Sequence, residues 1–279
     1  ILMYPDLITK LDKNGIKIWS IDTTSFPKQI KNDTTHLEFN KIACDAENNI
    51  YIQAYVNPII PWWKDPDPKT TPIIIKLNAD ADVIWFKKLD YSIFKKKKKG
   101  KYNYKKNKNS FNNIIISKNS LLFTENNRIY YDTTNPSESS ETIFKINKDN
   151  GNIIDTINIR PFFNDDEIYI YMKDIIPENK GNTIIYSFTI DTVLIHGFDK
   201  HYLLKLDKGG NILWKKNTDL DSTNGRIDGQ LDFSLNKHLA CDKYNNVYLY
   251  FIMRKLYFPV HPGTDATIFK YTKQGKFLY

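Results

Sequence analysis

The chain has 279 residues, of which 41% are hydrophobic and 26% charged, so it can bury a core and is not a disordered protein. Its formal net charge is +8, but residues 95–108 hold nine lysines and no acid, which leaves the rest of the chain near −1. No run of 18 apolar residues is present, which excludes a transmembrane helix, and the first residues lack the pattern of a signal peptide.

A hairpin pattern opens the chain and recurs along it. Residues 7–19 (LITKLDKNGIKIW) contain an apolar run with a lysine, a turn with Asp and Gly, and a second apolar run that ends in Trp. Apolar runs on either side of such a turn predict a β-hairpin. Further copies span 73–85, 142–155, 202–214 and 267–279. We expect their lysines to be solvated edge residues (Lys10, Lys76, Lys145, Lys205, Lys270) and their closing aromatics to wedge between units (Trp19, Trp85, Trp214, Tyr279).

A second hairpin pattern lies between these copies. It is clearest in residues 42–52 (IACDAENNIYI) and 239–249 (LACDKYNNVYL), and weaker versions span 114–123 and 174–186. Cys44 and Cys241 occupy the same position of this pattern, so we expect both to be small buried residues. Their separation and the absence of metal-ligand spacing give no indication of a disulfide framework or zinc site.

The two patterns together form a unit of four antiparallel strands in roughly 65 residues, and no segment has sustained helical periodicity. Such a repeat predicts an all-β fold, a β-propeller of about five four-stranded blades or a section of a larger one. The propeller would be a single domain over 1–279, with units at approximately 1–19 (partial), 35–90, 110–160, 168–217 and 231–279.

The first predicted blade lacks one hairpin, because the chain opens directly on residues 7–19. Upstream residues could complete the blade, a neighbouring chain could supply the strands, or residues 20–41 could fill the sheet irregularly. A bare sheet edge invites pairing, so assembly through this edge is a further expectation.

Two links between predicted hairpins carry aromatic residues that the repeat does not require. Residues 57–72 contain Trp62 and Trp63 among prolines, and residues 254–263 contain Tyr257, Phe258 and His261 between prolines. Stiffened, exposed aromatic residues are typical anchors for protein partners and can stack on sugar rings. They are the candidate binding residues, although both loops could instead fold back and bury these side chains.

The lysine run 95–108 lies in another predicted link. Its lysines form a candidate electrostatic patch for an anionic polymer, with Tyr102 and Tyr104 as stacking residues. A solvated loop produced by an A/T-rich genome would give the same sequence. The lysines are Lys95, Lys96, Lys97, Lys98, Lys99, Lys101, Lys105, Lys106 and Lys108.

The hairpins with lysine, Asp, Gly and Trp resemble blades of the PQQ-like propeller group, and the paired ACD and KLD elements are similar to bacterial SBBP-type repeats. This resemblance implies a propeller architecture and an exported or surface-attached bacterial protein. It does not imply quinoprotein dehydrogenase activity, because those enzymes need about eight blades, a cofactor floor and usually an adjacent Cys pair.

The sequence contains no nucleophile, base, phosphate-binding or metal-ligand motif, which favours a non-enzymatic protein without cofactor or metal. The leading hypothesis is a scaffold that binds a protein or glycan partner through its link loops. One alternative is a hydrolase or lyase at the mouth of the central channel, where residues from several blades converge without a local motif. A second is non-specific binding of an anionic polymer through the lysine run.

Overall fold

The computed structural model describes residues 1–59, 70–89, 107–117, 120–129, 138–163, 169–178, 181–190, 200–218, 238–255 and 263–278. Within these ranges, two short 3₁₀ turns accompany the strands, Thr23–Ser25 and Arg160–Phe162. The strands are β1 (Leu2–Met3), β2 (Leu7–Leu11), β3 (Lys17–Asp22), β4 (Thr35–Cys44), β5 (Ile50–Pro58), β6 (Thr71–Leu77), β7 (Val83–Lys88), β8 (Asn107–Ser117), β9 (Ser120–Ile129), β10 (Glu138–Asn147), β11 (Ile153–Asn158), β12 (Tyr169–Pro177), β13 (Thr183–Ile190), β14 (Lys200–Leu206), β15 (Ile212–Asn217), β16 (His238–Cys241), β17 (Val247–Lys255) and β18 (Gly263–Tyr271).

These strands form five successive antiparallel sheets, in which each strand pairs with its neighbour in sequence. The second, third and fourth sheets have four strands each: β4–β7, β8–β11 and β12–β15. The first sheet (β1–β3) and the fifth (β16–β18) have three. The all-β class and the four-stranded antiparallel sheets predicted from the repeat are thereby confirmed.

A separate hydrophobic core lies between each pair of consecutive sheets. The second sheet contributes alternate residues to two of these cores: Ile73 and Ile75 face the first sheet, while Ile74 faces the third. All three are fully buried. A strand covered on both faces needs apolar residues at consecutive positions, which explains the continuous isoleucine run.

The first strands of the sheets line the inside of this stack, since β1 contacts β4, β4 contacts β8, β8 contacts β12, and β12 contacts β16. Sheets that pack face to face around their first strands have a propeller-like arrangement. In each sheet the turns within the hairpins lie at one end, here called the turn face. The strand ends that the connections between hairpins and between sheets join lie at the opposite end, here called the link-loop face.

One backbone design recurs at the turn face. The first turn residue is Asp or Asn in most copies, and its side chain accepts hydrogen bonds from backbone amides two and four residues later, as Asp12 does from Asn14 and Ile16 at 2.8 Å. A residue near the end of the turn has a positive φ, for example Gly15 at 81° and Ala81 at 74°. This chemistry explains the Asp and Gly of the sequence pattern.

The first sheet is completed differently from the others. Leu2–Met3 forms a short strand that pairs with β2, so a third strand precedes the first predicted hairpin. Residues 23–34 add no strand, but Phe26 and Ile30 are buried in the core between the first and second sheets. Assembly through the edge of this sheet stays a prediction.

Candidate functional site

The turn face is held together by paired hydrogen bonds from one sheet to the next. Lys10 Nζ and Trp19 Nε1 of the first sheet both donate to the carbonyl oxygen of Ala79, in the β6–β7 turn, at 2.8 and 3.0 Å. The same pair recurs twice. Lys76 and Trp85 both donate to the carbonyl of Lys148 at 3.0 Å, and Lys205 and Trp214 donate to that of Lys273 at 3.2 and 3.1 Å.

The expectation that the repeat lysines are solvated edge residues is therefore wrong for three of the five. Lys76 and Lys205 are only 7% exposed.

Each repeat lysine from the first to the fourth sheet is followed by a shift of strand register, as between Lys10 and Leu11. The tryptophans do wedge between sheets, as predicted for Trp19, Trp85 and Trp214; Tyr279 lies outside the described residues.

A buried acid marks the other turn of the second sheet. Asp45 opens the β4–β5 turn, and its Oδ2 accepts hydrogen bonds from Asn49 Nδ2 at 3.0 Å and Tyr51 Oη at 2.9 Å. Lys148, from the neighbouring sheet, places its ammonium 3.3 Å from the same oxygen. Burial alone would raise the pKa of Asp45, but these hydrogen bonds outweigh it and lower the pKa to about 2.

Tyr51 also separates this acid from the repeat lysine of its own sheet. Tyr51 and Lys76 are paired across β5 and β6, and the ammonium lies 5.5 Å from the ring centroid. The fifth sheet has the same arrangement, with Tyr248 between Asp242 and Lys270. Burial and the hydrogen bond to Asp45 raise the pKa of Tyr51, so it stays a neutral donor at physiological pH.

The fourth sheet departs from this arrangement. Ile184 occupies the position of the tyrosine opposite Lys205, and the acid at the start of the turn is Glu178, which is longer than Asp by one methylene. Lys205 Nζ therefore reaches Glu178 Oε1 directly, at 2.6 Å. Both side chains are buried, and Asn182 Nδ2 donates to the second carboxylate oxygen at 3.1 Å.

A cleft of about 650 Å³ opens above this ion pair, between the fourth and fifth sheets. One wall carries Glu178, Asn182 and Lys205. The opposite wall carries the turn that contains Lys243 and Tyr244 and the turn that contains Lys273. Tyr244 is 67% exposed, and the Lys243 ammonium lies 5.0 Å from its ring centroid. This cleft, which combines charged and amide side chains with an exposed aromatic ring, is the candidate functional site of the described residues.

The described lining of this cleft includes none of the binding residues predicted from the sequence. Trp62, Trp63, Tyr257, Phe258 and His261 fall outside the described residues, as do all lysines of the run except Lys108. Lys108 lies in β8, which begins at Asn107, so it belongs to a strand and not to a link. The role of these residues stays a prediction.

The two cysteines occupy equivalent positions at the ends of β4 and β16, as the repeat predicts, but neither is buried in the expected way. Cys44 is exposed and Cys241 is partly exposed. Both lie on innermost strands, each of which is flanked by a partner on one side only. Desolvation raises the pKa of Cys241 to about 11, so this thiol stays protonated at neutral pH.

The sequence missed the Glu178–Lys205 pair and Tyr244. A signal was present, because Ile184 and Glu178 replace the Tyr and Asp found at the same positions of 42–52 and 239–249. The weak match of 174–186 to the pattern was therefore informative in itself. Tyr244 has no comparable signal in the sequence. Its counterpart in the second sheet is Glu47, and both are exposed turn residues, a class in which the residue type varies freely.

The part of the chain that the structure describes has neither a metal-ligand cluster nor a long apolar helix. No group of three or more His, Cys, Asp or Glu side chains there is placed to hold a metal ion. The same residues contain no helix of the length and apolarity that a membrane crossing requires.

Comparison with known proteins gives structural neighbours only. No family model and no curated protein matches the chain. Similar solved structures include Drosophila Plexin A in complex with Semaphorin 1b, with 10% identity and a TM-score of 0.42, and the extracellular domains 1–2 of Drosophila Semaphorin 1b, with 9% identity and a TM-score of 0.38. Each match covers 95% of this chain and 48% of the other, so the chain spans about half the length of these neighbours.

Proposed function

We propose that the chain is a non-enzymatic binding scaffold, a propeller of about five blades that engages a protein or glycan partner through its link-loop face. The proposal includes the kinship with PQQ-like and SBBP-type blades and an extracytoplasmic or surface location.

The observation that carries the proposal is the difference between the two ends of the sheets. At the turn face, short turns of uniform chemistry accept hydrogen bonds from the lysine and tryptophan of the preceding sheet. At the link-loop face, the connections differ in length and sequence. Residues 130–137 form a short connection, and residues 219–237 form part of a long one. Function usually lies in variable loops that a rigid scaffold positions.

Trp62 and Trp63 are the proposed anchors on this face, with Tyr257, Phe258 and His261 as a second group. The three hairpin tryptophans are used for contacts between sheets, and Trp62 and Trp63 lie outside the hairpin pattern. Large rigid aromatic side chains give much contact area for little loss of conformational entropy, which suits an anchoring role.

The test compares three proteins: the wild-type chain, the Trp62→Ala/Trp63→Ala variant, and, as a control on the opposite face, Ile16→Ala, which changes an exposed apolar residue of the β2–β3 turn. Partners are found on a glycan array and by cross-linking in the cells that express the protein, and affinities are measured by calorimetry. We expect the double variant to lose affinity about thirtyfold or more, as for an interface anchor, with an unchanged melting temperature.

Three results would contradict the proposal. The double variant could bind as the wild type does. Binding could depend on Lys95–Lys99 and salt alone, which would favour the anionic-polymer alternative. The captured molecule could be chemically converted, which would favour the hydrolase or lyase alternative.

A further inference from the structure

We infer that the cleft between the fourth and fifth sheets, bounded by Glu178, Asn182, Lys205, Lys243, Tyr244 and Lys273, is a second binding site, and that its ligand is an acidic carbohydrate. This site lies on the turn face and does not depend on the link-loop partner proposed above.

The corresponding place between the second and third sheets is closed by an ion pair. There, Lys148 is the second residue of the β10–β11 turn, and its ammonium lies 3.3 Å from the 2%-exposed carboxylate of Asp45. Asp45 is free to accept this lysine because Tyr51 stands between it and Lys76. The turn lysine of one sheet is thus neutralised by the turn acid of the preceding sheet.

Between the fourth and fifth sheets, the described residues at the same two positions do not form an ion pair. Lys273 corresponds to Lys148, and Glu178 corresponds to Asp45. Because Ile184 replaces the tyrosine, Lys205 forms an ion pair with Glu178 at 2.6 Å, and this acid is no longer available to Lys273. Lys273 is exposed and, within the described ranges, forms no ion pair, and the same holds for Lys243.

Among the described residues that line the cleft, the lysines at 243 and 273 are therefore two cations without a paired acid. The Glu178–Lys205 pair is neutral as a unit. The carboxylate of Asp242, the first residue of the turn that carries Lys243 and Tyr244, accepts hydrogen bonds from Asn246, Tyr248 and the backbone amides of Tyr244 and Asn246. Even with its charge counted, the site is positive by one unit, so an anionic group is the favoured occupant.

The rest of the wall suits a sugar ring. Tyr244 offers a flat exposed face to the C–H groups of a pyranose, and the side-chain amides of Asn182, Asn245 and Gln274 offer both donors and acceptors to hydroxyl groups. A volume of about 650 Å³ accommodates an oligosaccharide of a few units. Carboxylate and sulfate groups would both satisfy the lysines.

The cleft is also preorganised. Lys205 and Trp214 both donate to the carbonyl oxygen of Lys273, which fixes the backbone that carries one of the two cations. The Cβ that any larger residue would add at Gly275 meets Trp214 at 3.0 Å, so the turn is held against the fourth sheet. A site whose backbone is already ordered loses less entropy when it binds a ligand.

The experiment titrates the full chain with four probes: trigalacturonic acid, a sulfated galactose trisaccharide, the matching neutral galactose trisaccharide, and inorganic sulfate. Variants Lys273→Gln and Tyr244→Ala are compared with Lys208→Gln, the lysine at the same turn position of the fourth sheet, outside the cleft walls. We expect the acidic sugars to bind and each cleft variant to weaken them about tenfold, about 1.4 kcal/mol, with Lys208→Gln within twofold. The two acidic probes decide between carboxylate and sulfate.

The outcomes separate this inference from the proposed function. Failure of the folded wild-type chain to bind either acidic sugar would overturn it, as would equal losses in Lys273→Gln and Lys208→Gln. Equally tight binding of the neutral sugar or of free sulfate would show that the ligand class is wrong. A Trp62→Ala/Trp63→Ala protein should bind the acidic probes normally, whether or not the link-loop face has a partner. Melting curves identify any variant that does not fold.

Discussion

At the scale of single residues, Gly151 and Gly275 of the turn pattern each combine a positive φ with a close contact to a tryptophan of the preceding sheet. Gly151 has a φ of 71°, and its Cα lies against the Trp85 ring of the preceding sheet. Gly275 has the same relation to Trp214. A side chain at these positions would adopt an unfavourable backbone conformation and also collide with a tryptophan. Gly15 has a similar φ of 81° with open space around it, so the two effects can be measured separately.

Gly151→Ala and Gly15→Ala form this matched comparison. Both variants place alanine at a positive φ, which destabilises the fold by about 1 kcal/mol. Only Gly151→Ala brings a Cβ to 2.7 Å from Trp85 Cε3, which adds about 1–3 kcal/mol because the ring must move. The free energy of unfolding measured in urea should therefore be clearly lower for Gly151→Ala than for Gly15→Ala. Equal losses would show that the contact between the turn and Trp85 does not hold the sheets together.

The low pKa of Asp45 predicts acid sensitivity. Folding lowers this pKa from its ordinary value of 3.8 to about 2, so the folded state favours the carboxylate. The stabilisation is complete above pH 4 and is lost as the pH falls towards 2, a difference of about 2 kcal/mol. Asp45→Asn should be less stable at pH 7 and show a shallower decline between pH 4 and 2.

The control for this pH series is Asp33→Asn. Asp33 is 89% exposed in a 3.9 Å pair with Lys28, and surface pairs of this kind contribute little. Its unfolding curves should follow those of the wild type at every pH. A wild-type decline identical to that of Asp45→Asn would mean that Asp45 is not the group responsible.

At the scale of elements, the repeating unit of this fold is a hairpin whose own side chains donate hydrogen bonds to the next sheet. Each of the first four copies of the lysine hairpin pairs its strands in one register with an irregularity directly after the lysine. In three copies, the lysine and the tryptophan opposite then share one carbonyl acceptor on the neighbouring turn. The third copy has Asp155 opposite Lys145, so it lacks the tryptophan.

The Glu178–Lys205 pair joins β14 to the turn after β12, and its loss should be costly. Glu178→Gln leaves a buried ammonium without its counter-charge, which costs about 3–5 kcal/mol. Adding Lys205→Met removes that charge, so the double variant should be less destabilised than the sum of the single variants. A double-mutant cycle by urea unfolding measures the coupling. Additive effects would show that the two side chains do not interact.

At the scale of the whole molecule, stability comes from contacts between consecutive sheets. In the described part of the chain, four cores connect five sheets, and the three middle sheets each belong to two cores. Repeat proteins built in this way derive their stability from each unit and its nearest neighbours. The lysine run of residues 95–108 holds nine lysines and no acid, so it carries the excess positive charge of the sequence.

The lysine run supplies a prediction at this scale. Replacing Lys95–Lys99 by Gln should weaken binding to a heparin column and lower the salt dependence of that binding, because each lysine releases counterions from a polyanion. The melting temperature should not change, since these residues precede β8. Substituting five exposed lysines outside the cleft instead is the control (Lys13, Lys17, Lys41, Lys208, Lys216). Unchanged heparin affinity of the Lys95–Lys99 variant would assign the charge effect to the turn face.

The hairpins, their order and the all-β class can all be predicted from the amino-acid sequence alone. Turn chemistry and apolar runs act over a few residues, so Asp12, Gly15 and the isoleucines of β6 report their roles locally. Only the tertiary structure decided where the polar side chains go. Lys10 finds its acceptor 69 residues away, at Ala79, and Lys205 finds Glu178 because Ile184 leaves the space between them open. A lysine that points to solvent and one that bonds to a neighbouring sheet have the same local sequence, because the difference lies in the packing between sheets.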